Sequence, residues 1–193
     1  VLVWLAGRTA MLFPGVLGLE VSLGIEAAFL PLLFLVALRE IVAGRNWKNL
    51  KIVLPLAVLS GANIWFHVAV ATGGDSSMAG RLAVGCWIVL IALVGGRIVP
   101  SFTRNWLARQ GSKTLPIPFG RFDQIAIAAM IVALLAWVAA PFAAASIIAC
   151  LAAALLQGVR LWRWRGWLAA CEPIVFILHI AYGFVVLGLF AVA

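Results

Sequence analysis

The fold class is decided by the stretch CEPIVFILHIAYG, residues 171–183, which opens an apolar segment that continues to Ala193. A helix of about 20 apolar residues is long enough to cross the hydrocarbon core of a bilayer. The segment contains Pro173, a favourable first residue of a helix, and it carries one imidazole, that of His179. We therefore predict a transmembrane helix with an ionisable side chain inside it, which by default is a candidate functional residue.

The composition extends this prediction to the whole chain. Of 193 residues, 66% are hydrophobic and 10% charged, and the mean hydropathy is +1.17; soluble domains have about 45–50% apolar and about 25% charged residues. Helices satisfy their own backbone polar groups in lipid, so we predict an all-α, polytopic transmembrane helical bundle. We expect one integral membrane domain over residues 1–193, with lipid as its surroundings. Because the chain begins at Val1, inside an apolar run, we also expect it to be a fragment of a longer polypeptide.

About six spans and a partial leading segment are predicted. The apolar runs place the spans at about residues 16–38, 52–72, 82–100, 124–140, 143–161 and 173–193. Asp123 is a good N-cap residue and is predicted to begin the fourth span. The fourth and fifth spans are rich in Ala and meet at the uncharged turn Pro141-Phe142. Small side chains let helix backbones approach, so these two spans are expected to form a closely packed hairpin.

The basic residues fix an expected orientation. Of 14 Lys and Arg residues, all but Arg8 and Arg81 lie in three clusters between spans, a distribution that argues against nucleic-acid binding. By the positive-inside rule, loops 39–51, 97–123 and 160–172 are predicted to be cytoplasmic, with loops 73–81 and 141–142 outside. The alternating Trp and Arg residues of 160–167 are interpreted as an interfacial anchor.

Two layers of polar residues are predicted at membrane depth. Counting about 1.5 Å of rise per residue from the basic loops, Glu26 and His67 reach similar depths in the outer part of the bilayer. Asn63 precedes His67 by four residues and shares its helix face. We expect Glu26, Asn63 and His67 to lie near one another.

The inner layer contains Arg97, His179 and Tyr182. Tyr182 follows His179 by three residues, so both lie on one helix face. The same arithmetic places His67 about 14 Å nearer the outer face than His179, and we do not expect the two imidazoles to share one metal ion.

Each polar residue also has a structural explanation. A lone His in a bundle can be a neutral interhelical hydrogen-bonding group, and Arg97 can extend its guanidinium to the interface. Glu26 must be protonated or paired at such depth.

The sequence contains no GxSxG, P-loop, GxGxxG or HExxH motif, and it leaves open whether the protein is an enzyme. Its three Cys residues lack CxxC spacing and are interpreted as small apolar residues. Imidazole suits haem iron and copper, so the two His residues permit such cofactors without requiring them.

Several motifs resemble the NnrS family. They are GGRIVPSFTRNW at residues 95–106, RFD at 121–123, EPIVFILHIAY at 172–182, FLPL at 29–32, REIVAGRNW at 39–47 and NLK at 49–51. The resemblance covers nearly the whole chain.

This resemblance implies a bacterial inner-membrane protein that contains haem and copper and protects against nitric oxide, or nitrosative, stress. It implies that His179 and His67 are the candidate metal ligands, with Arg97 and Tyr182 as further candidate cofactor-binding residues, and that nitric oxide or a related small molecule is a possible ligand. Family members are longer than this chain, so further ligands and helices are expected outside it.

Two other functions are kept as alternatives. Glu26 and His67 would serve in one half of a proton- or cation-coupled transporter, for which Pro31 inside the first span is a hint of a discontinuous helix. The other alternative is a sensor or assembly protein without chemistry of its own.

Overall fold

The structure is a computed structural model that describes residues 1–193. It is helical throughout, without strands. The helices are α1 Leu2–Leu12, α2 Pro14–Leu17, α3 Leu19–Ala27, α4 Phe29–Ala43, α5 Leu50–Ala71, α6 Ser77–Arg109, α7 Arg121–Ala139, α8 Ala144–Arg163 and α9 Pro173–Ala191. Two short 3₁₀ helices, Trp47–Asn49 and Gly166–Ala169, precede α5 and α9.

Six helical segments are long and apolar enough to cross a membrane: Leu19–Ala43, Trp47–Ala71, Ser77–Arg109, Arg121–Ala139, Ala144–Arg163 and Pro173–Ala191. The shorter apolar helix α1 precedes them. The prediction of six spans and a partial leading segment is therefore confirmed, and the chain is a multi-pass membrane protein. Residues 1–87 and 88–193 form two compact units; the prediction of a single domain stays a prediction.

The first predicted span contains a local break. Helix α3 ends at Ala27 and α4 begins at Phe29. Pro31 has no N–H, so it cannot donate the bond that the carbonyl of Ala27 would accept in a regular helix. The result is one missing backbone hydrogen bond in the turn that follows Glu26, while Ala28 keeps helical dihedral angles and the apolar segment continues from Leu19 to Ala43.

The predicted third span ends too early. We placed its end at Pro100 and assigned 97–123 to a loop, but α6 continues through Pro100 to Arg109. Proline costs the helix one hydrogen bond and strains the preceding turn, and the regular residues after it continue the helix. With 33 residues, α6 is about 50 Å long, which exceeds the roughly 30 Å of hydrocarbon.

The beginning of α7 also differs from the prediction. Its N-cap is Gly120, and Asp123 is the third helical residue. The Asp123 Oδ2 atom accepts a hydrogen bond from the backbone N–H of Gly120 at 3.0 Å. The carboxylate therefore caps the helix from inside its first turn, where it also meets the positive end of the helix dipole.

Helices α7 and α8 form the hairpin that the Ala-rich sequence predicts. Ala133, Cys150 and Ala153 are fully buried, and the Cys150 thiol lies 3.7 Å from the carbonyl of Ala133. Small residues on both helices allow this approach. The hairpin is the frame of the second unit, and it positions the buried residues described below.

Candidate functional site

The first unit holds a cluster of polar side chains around Glu26, which we call the Glu26 cluster: Arg8, Glu26, Asn63 and His67. The Glu26 Oε2 atom contacts His67 Nε2 and accepts from Asn63 Nδ2 at 3.2 Å. Its Oε1 atom accepts from Arg8 Nη2 at 3.0 Å. The predicted proximity of Glu26, Asn63 and His67 is thus observed, and Arg8 joins them.

Three helices build the Glu26 cluster. Helix α5 presents Asn63 and His67 one turn apart, and α3 presents Glu26. Helix α1 approaches α3 at Gly7, where an added Cβ would lie 3.0 Å from the Glu26 Cα. A glycine at this position therefore brings Arg8 within reach of the carboxylate.

The Glu26 cluster is open on one side. The side chains of Glu26 and His67 are each 12% exposed, whereas that of Arg8 is 54% exposed. A groove of about 260 Å³ beside His67 is lined by Glu20, Leu23, Gly24 and Ile64, among others. A carboxylate and an imidazole in contact can exchange a proton or hold a cation between them, and the groove gives access to the imidazole.

The second unit contains the predicted candidate His179, which is 6% exposed. Its Nδ1 atom lies 3.1 Å from the carbonyl oxygen of Val175, and its Nε2 atom lies 3.3 Å from Thr103 Oγ1. A carbonyl oxygen can only accept, so Nδ1 must carry the proton and donate it. In the neutral imidazole Nε2 then holds the lone pair, which is the form that binds a metal.

The walls of this site come from the segment between α8 and α9. The Trp164 ring meets the imidazole edge to face, with 6.5 Å between centroids. The backbone of Gly166 lies directly against the ring, since an added Cβ would overlap the imidazole of His179. Beside it is a groove of about 230 Å³ whose lining includes Trp162, Trp167 and Phe176. We call His179, Thr103, Val175, Trp164 and Gly166 the His179 site.

A third cluster lies in the same unit and was not predicted. We call it the Arg160 network; its members are Asp123, Gln157, Arg160 and Tyr182. The guanidinium of Arg160 donates from Nε to Asp123 Oδ1 at 3.1 Å and from Nη1 to Tyr182 Oη at 2.8 Å. Tyr182 in turn donates to Gln157 Oε1 at 2.8 Å.

The Arg160 network is closed to its surroundings. Arg160 is 1% exposed, and Gln157 is fully buried. The Arg160 Nη1 atom also donates to the carbonyl of Ala92 at 3.2 Å, and Gln157 Nε2 donates to that of Ala126 at 3.0 Å. A buried charge is tolerated when it is paired and its hydrogen bonds are satisfied, and these contacts satisfy that condition.

Two adjacent glycines of α6 make room for this network. An added Cβ at Gly96 would overlap the Arg160 guanidinium, and one at Gly95 would lie 3.1 Å from the Tyr182 ring. The GG pair of the GGRIVPSFTRN stretch therefore accommodates two large side chains from α8 and α9. A structural explanation is sufficient for these glycines.

The interpretation of residues 160–167 as an interfacial anchor is wrong for two of its members. Arg160 and Trp164 are 1% and 2% exposed, because α8 continues to Arg163 and turns both side chains inward. Trp162 and Trp167 are exposed and stack on each other, so they fit the anchor role. The missed signal was Gln157, a polar residue inside an apolar span and three residues before Arg160.

The remaining candidates are placed as follows. Tyr182 is buried beside Trp164, with 4.6 Å between ring centroids, and the cation that donates to it is Arg160. The side chain of Arg97 is exposed on α6. Neither residue's role in cofactor binding is tested by these positions.

The donor atoms of the chain do not form a closed metal site. No group of three or more His, Cys, Asp or Glu residues is arranged to hold a metal ion. Cys86 and Cys150 are buried and Cys171 is exposed, all as free thiols.

A comparison with protein families gives one match that covers the chain. The family model described as NnrS protein matches residues 1–193, the whole chain. No curated protein and no solved structure matches it.

Proposed function

This chain belongs to the NnrS family, and on that premise we propose that it is a haem-binding protein of the bacterial inner membrane that acts in tolerance of nitric oxide. The observation that carries the proposal is the state of His179. Its Nδ1–H group is held by the carbonyl of Val175, which orients the ring and leaves Nε2 as the donor atom. Metal-binding imidazoles are commonly held in this way by their second nitrogen.

The His179 site fits a haem better than it fits an isolated metal ion. Haem iron needs only one or two ligands from the protein because the porphyrin supplies four, and a single His is a common axial ligand. His179 lines an apolar groove of about 230 Å³ with Trp162, Trp167 and Phe176, which would have to widen to admit a macrocycle. When bound, haem iron with an open axial position would supply the chemistry of binding a diatomic gas.

The other predicted cofactor residues receive different roles. Arg97, exposed on α6, is proposed to pair with a haem propionate. The Tyr182 hydroxyl is already engaged by Arg160 and Gln157, so we propose that Tyr182 supports α9 and does not ligate the iron.

Copper is the second cofactor of the proposal, and the described residues fit it less well. His67 and Glu26 offer one nitrogen and one carboxylate, fewer donors than a stable copper centre has in proteins. Copper at the Glu26 cluster would need further ligands from outside these 193 residues. We propose His67 as one copper ligand on that condition.

The decisive experiment is optical and metal analysis of the natural full-length polypeptide purified from membranes. We expect a haem Soret band that His179→Ala abolishes and that His67→Ala leaves in place, with loss of copper only in the second variant. Retention of the full Soret band in His179→Ala, with the variant folded, would exclude His179 as a ligand. Absence of haem from the wild-type protein would refute the cofactor proposal altogether.

The proposed orientation can be tested with Cys171, which is exposed before α9. Because loop 160–172 is proposed to be cytoplasmic, a membrane-impermeant maleimide should label Cys171 in inverted vesicles and not in intact spheroplasts. The opposite result would reverse the orientation. Cys86→Ser and Cys150→Ser remove the other two thiols of these 193 residues, and Cys171→Ser is the control that should lose the label.

A second candidate function is proton- or cation-coupled transport, and the Glu26 cluster favours it. Glu26 and His67 are in contact, a groove reaches His67, and Pro31 removes one backbone hydrogen bond from the turn that follows Glu26. Intramembrane carboxylates beside irregular helices occur at transporter sites. Proton-coupled flux into proteoliposomes that Glu26→Gln abolishes would support transport, and equal flux with and without the protein would argue against it.

A further inference from the structure

The hydroxyl of Thr103 lies between two acceptors. Thr103 is fully buried; its Oγ1 atom lies 2.8 Å from the carbonyl of Val99 and 3.3 Å from Nε2 of His179. A hydroxyl has one proton to donate. Val99 O can only accept, and Nε2 also accepts in the tautomer whose Nδ1–H donates to Val175 O. The backbone carbonyl of Trp164 is a second acceptor that faces the ring, and a protonated Nε2 that donates to it is the alternative that the experiment below distinguishes.

The two bonds of this hydroxyl are therefore alternatives. With the proton toward Nε2, the buried lone pair of His179 is satisfied. With the proton toward Val99 O, the hydroxyl makes the common bond of a helical Thr to the carbonyl four residues earlier, and Nε2 is released. A buried acceptor without a donor costs free energy. The Thr103 hydroxyl can turn away from His179 Nε2 without losing a hydrogen bond of its own, because Val99 O then accepts its proton.

We propose that Thr103 is a positioning residue for His179, with a hydroxyl that satisfies Nε2 when nothing else is bound there and turns to Val99 when a ligand occupies Nε2. The hydroxyl thus protects the ligand-ready tautomer of a buried imidazole. The proposal rests on the proposed function only for the identity of that ligand, and the contact between Thr103 and His179 is a property of the cofactor-free protein.

The test is solid-state NMR of the full-length, cofactor-free protein in lipid, with ¹⁵N-labelled His and ¹³Cβ-labelled Thr. In the wild type we expect an unprotonated Nε2, a protonated Nδ1, and dipolar coupling from Nε2 to one Thr Cβ. His179→Ala should remove this signal and thereby assigns it, whereas His67→Ala should leave it in place. A protonated Nε2, or no coupling to any Thr, would overturn the proposal without the need for a variant at residue 103.

Variants then separate hydrogen bonding from packing. Thr103→Val keeps the shape and removes the hydroxyl, so the Nε2 resonance should move downfield while Nδ1 stays constant; Thr103→Ser should restore the wild-type position. Ser146→Ala removes another buried hydroxyl, near the opposite end of α8 from the His179 site, and should change neither resonance. Equal movement of Nδ1 and Nε2 in Thr103→Val would indicate displacement of the ring and contradict the proposal.

The proposal of haem binding at His179 and the proposal for Thr103 can be refuted independently. A Soret band that survives His179→Ala removes the haem assignment and leaves the NMR result intact. An NMR spectrum without the Thr103 contact removes this inference while a His179-dependent Soret band stands. Where both hold, adding haem to the labelled protein should abolish the response of the Nε2 resonance to Thr103→Val.

Discussion

The Glu26 cluster and the Arg160 network are each built around one carboxylate with guanidinium partners, yet they differ in exposure. Asp123 has Arg163 Nη2 at 3.6 Å as a second partner. In the Arg160 network the Arg160 and Asp123 side chains are 1% and 4% exposed. In the Glu26 cluster the Arg8 side chain is 54% exposed and pairs with a carboxylate that is 12% exposed. The first arrangement is sealed, whereas the second has a partner that can leave.

The difference separates structural from functional use of charge. A buried ion pair is costly to disturb, because each charge would lose its partner in a low dielectric. In the Glu26 cluster the more exposed Arg8 can move away while Glu26 keeps its contacts with Asn63 and His67. We therefore expect large effects on stability from the Arg160 network and small ones from the Glu26 cluster, with the reverse order for ligand exchange.

The largest effect is expected from Arg160→Leu. It removes the shorter of the two ion pairs of the buried Asp123 carboxylate and leaves Arg163 Nη2 at 3.6 Å. Breaking a buried pair typically costs about 3–5 kcal/mol of unfolding free energy, and the remaining Arg163 places the expected loss at the lower end of that range. Thermal unfolding in detergent or nanodiscs would measure the loss. The double variant Arg160→Leu/Asp123→Leu should lose less than the sum of the single variants; simple additivity would mean that the pair is not coupled.

The glycines beside the two clusters give the next effect. Gly96→Ala brings a Cβ against a guanidinium that is held by several bonds, and overpacking of this kind costs about 1–3 kcal/mol. Gly7→Ala meets the Glu26 backbone at 3.0 Å, where a small shift of α1 relieves the contact at lower cost. Gly80→Ala, with open space around its added Cβ, is the control and should not destabilise. If Gly7→Ala lost more unfolding free energy than Gly96→Ala, the expected order of the two clusters would be contradicted.

A smaller effect is expected from Arg8→Ala in the Glu26 cluster. When Arg8 is removed, Glu26 keeps its contact with His67 and the hydrogen bond from Asn63, so the loss of unfolding free energy should be smaller than for Arg160→Leu. Thermal unfolding under the same conditions as for Arg160→Leu would measure it. A loss as large as that of Arg160→Leu would show that Glu26 depends on Arg8 as strongly as Asp123 depends on Arg160.

The smallest effect belongs to Asp75, which lies outside both clusters before α6. Hydrogen bonds from the Ser77 backbone N–H and hydroxyl lower the pKa of the Asp75 carboxyl from its ordinary value. A lowered pKa means that its contribution to stability is present above the unfolded value and is lost as the pH falls through the folded value. Asp75→Ala should be slightly less stable than wild type at neutral pH and equal to it in strong acid; a difference that grows in acid would contradict this.

The six spans could be predicted because each is a long apolar run, and hydropathy reports that property directly. The proximity of Glu26 to His67 was also predictable, since two antiparallel spans joined by a short loop place equal depths together. Both predictions depend on local sequence and on helical rise alone.

The Arg160 network could not be predicted in the same way. A guanidinium in a sequence is assigned to a loop because its transfer into lipid is costly, and here the cost is offset by Asp123, which is 37 residues away. Only the packing of α7 on α8 brings the two together. Thr103 was missed for a related reason: its partner His179 is 76 residues later in the chain, and Pro100 had suggested that the helix was already over.

The Asp123–Arg160 pair has a consequence for how the protein is made. Each residue lies at the far end of the α7–α8 hairpin from its tight turn at Pro141, so the two opposite charges face each other only when both helices are present. A single helix emerging from the ribosome would present an uncompensated charge to the lipid near its end. We therefore expect membrane insertion to favour the hairpin as one unit over α7 alone.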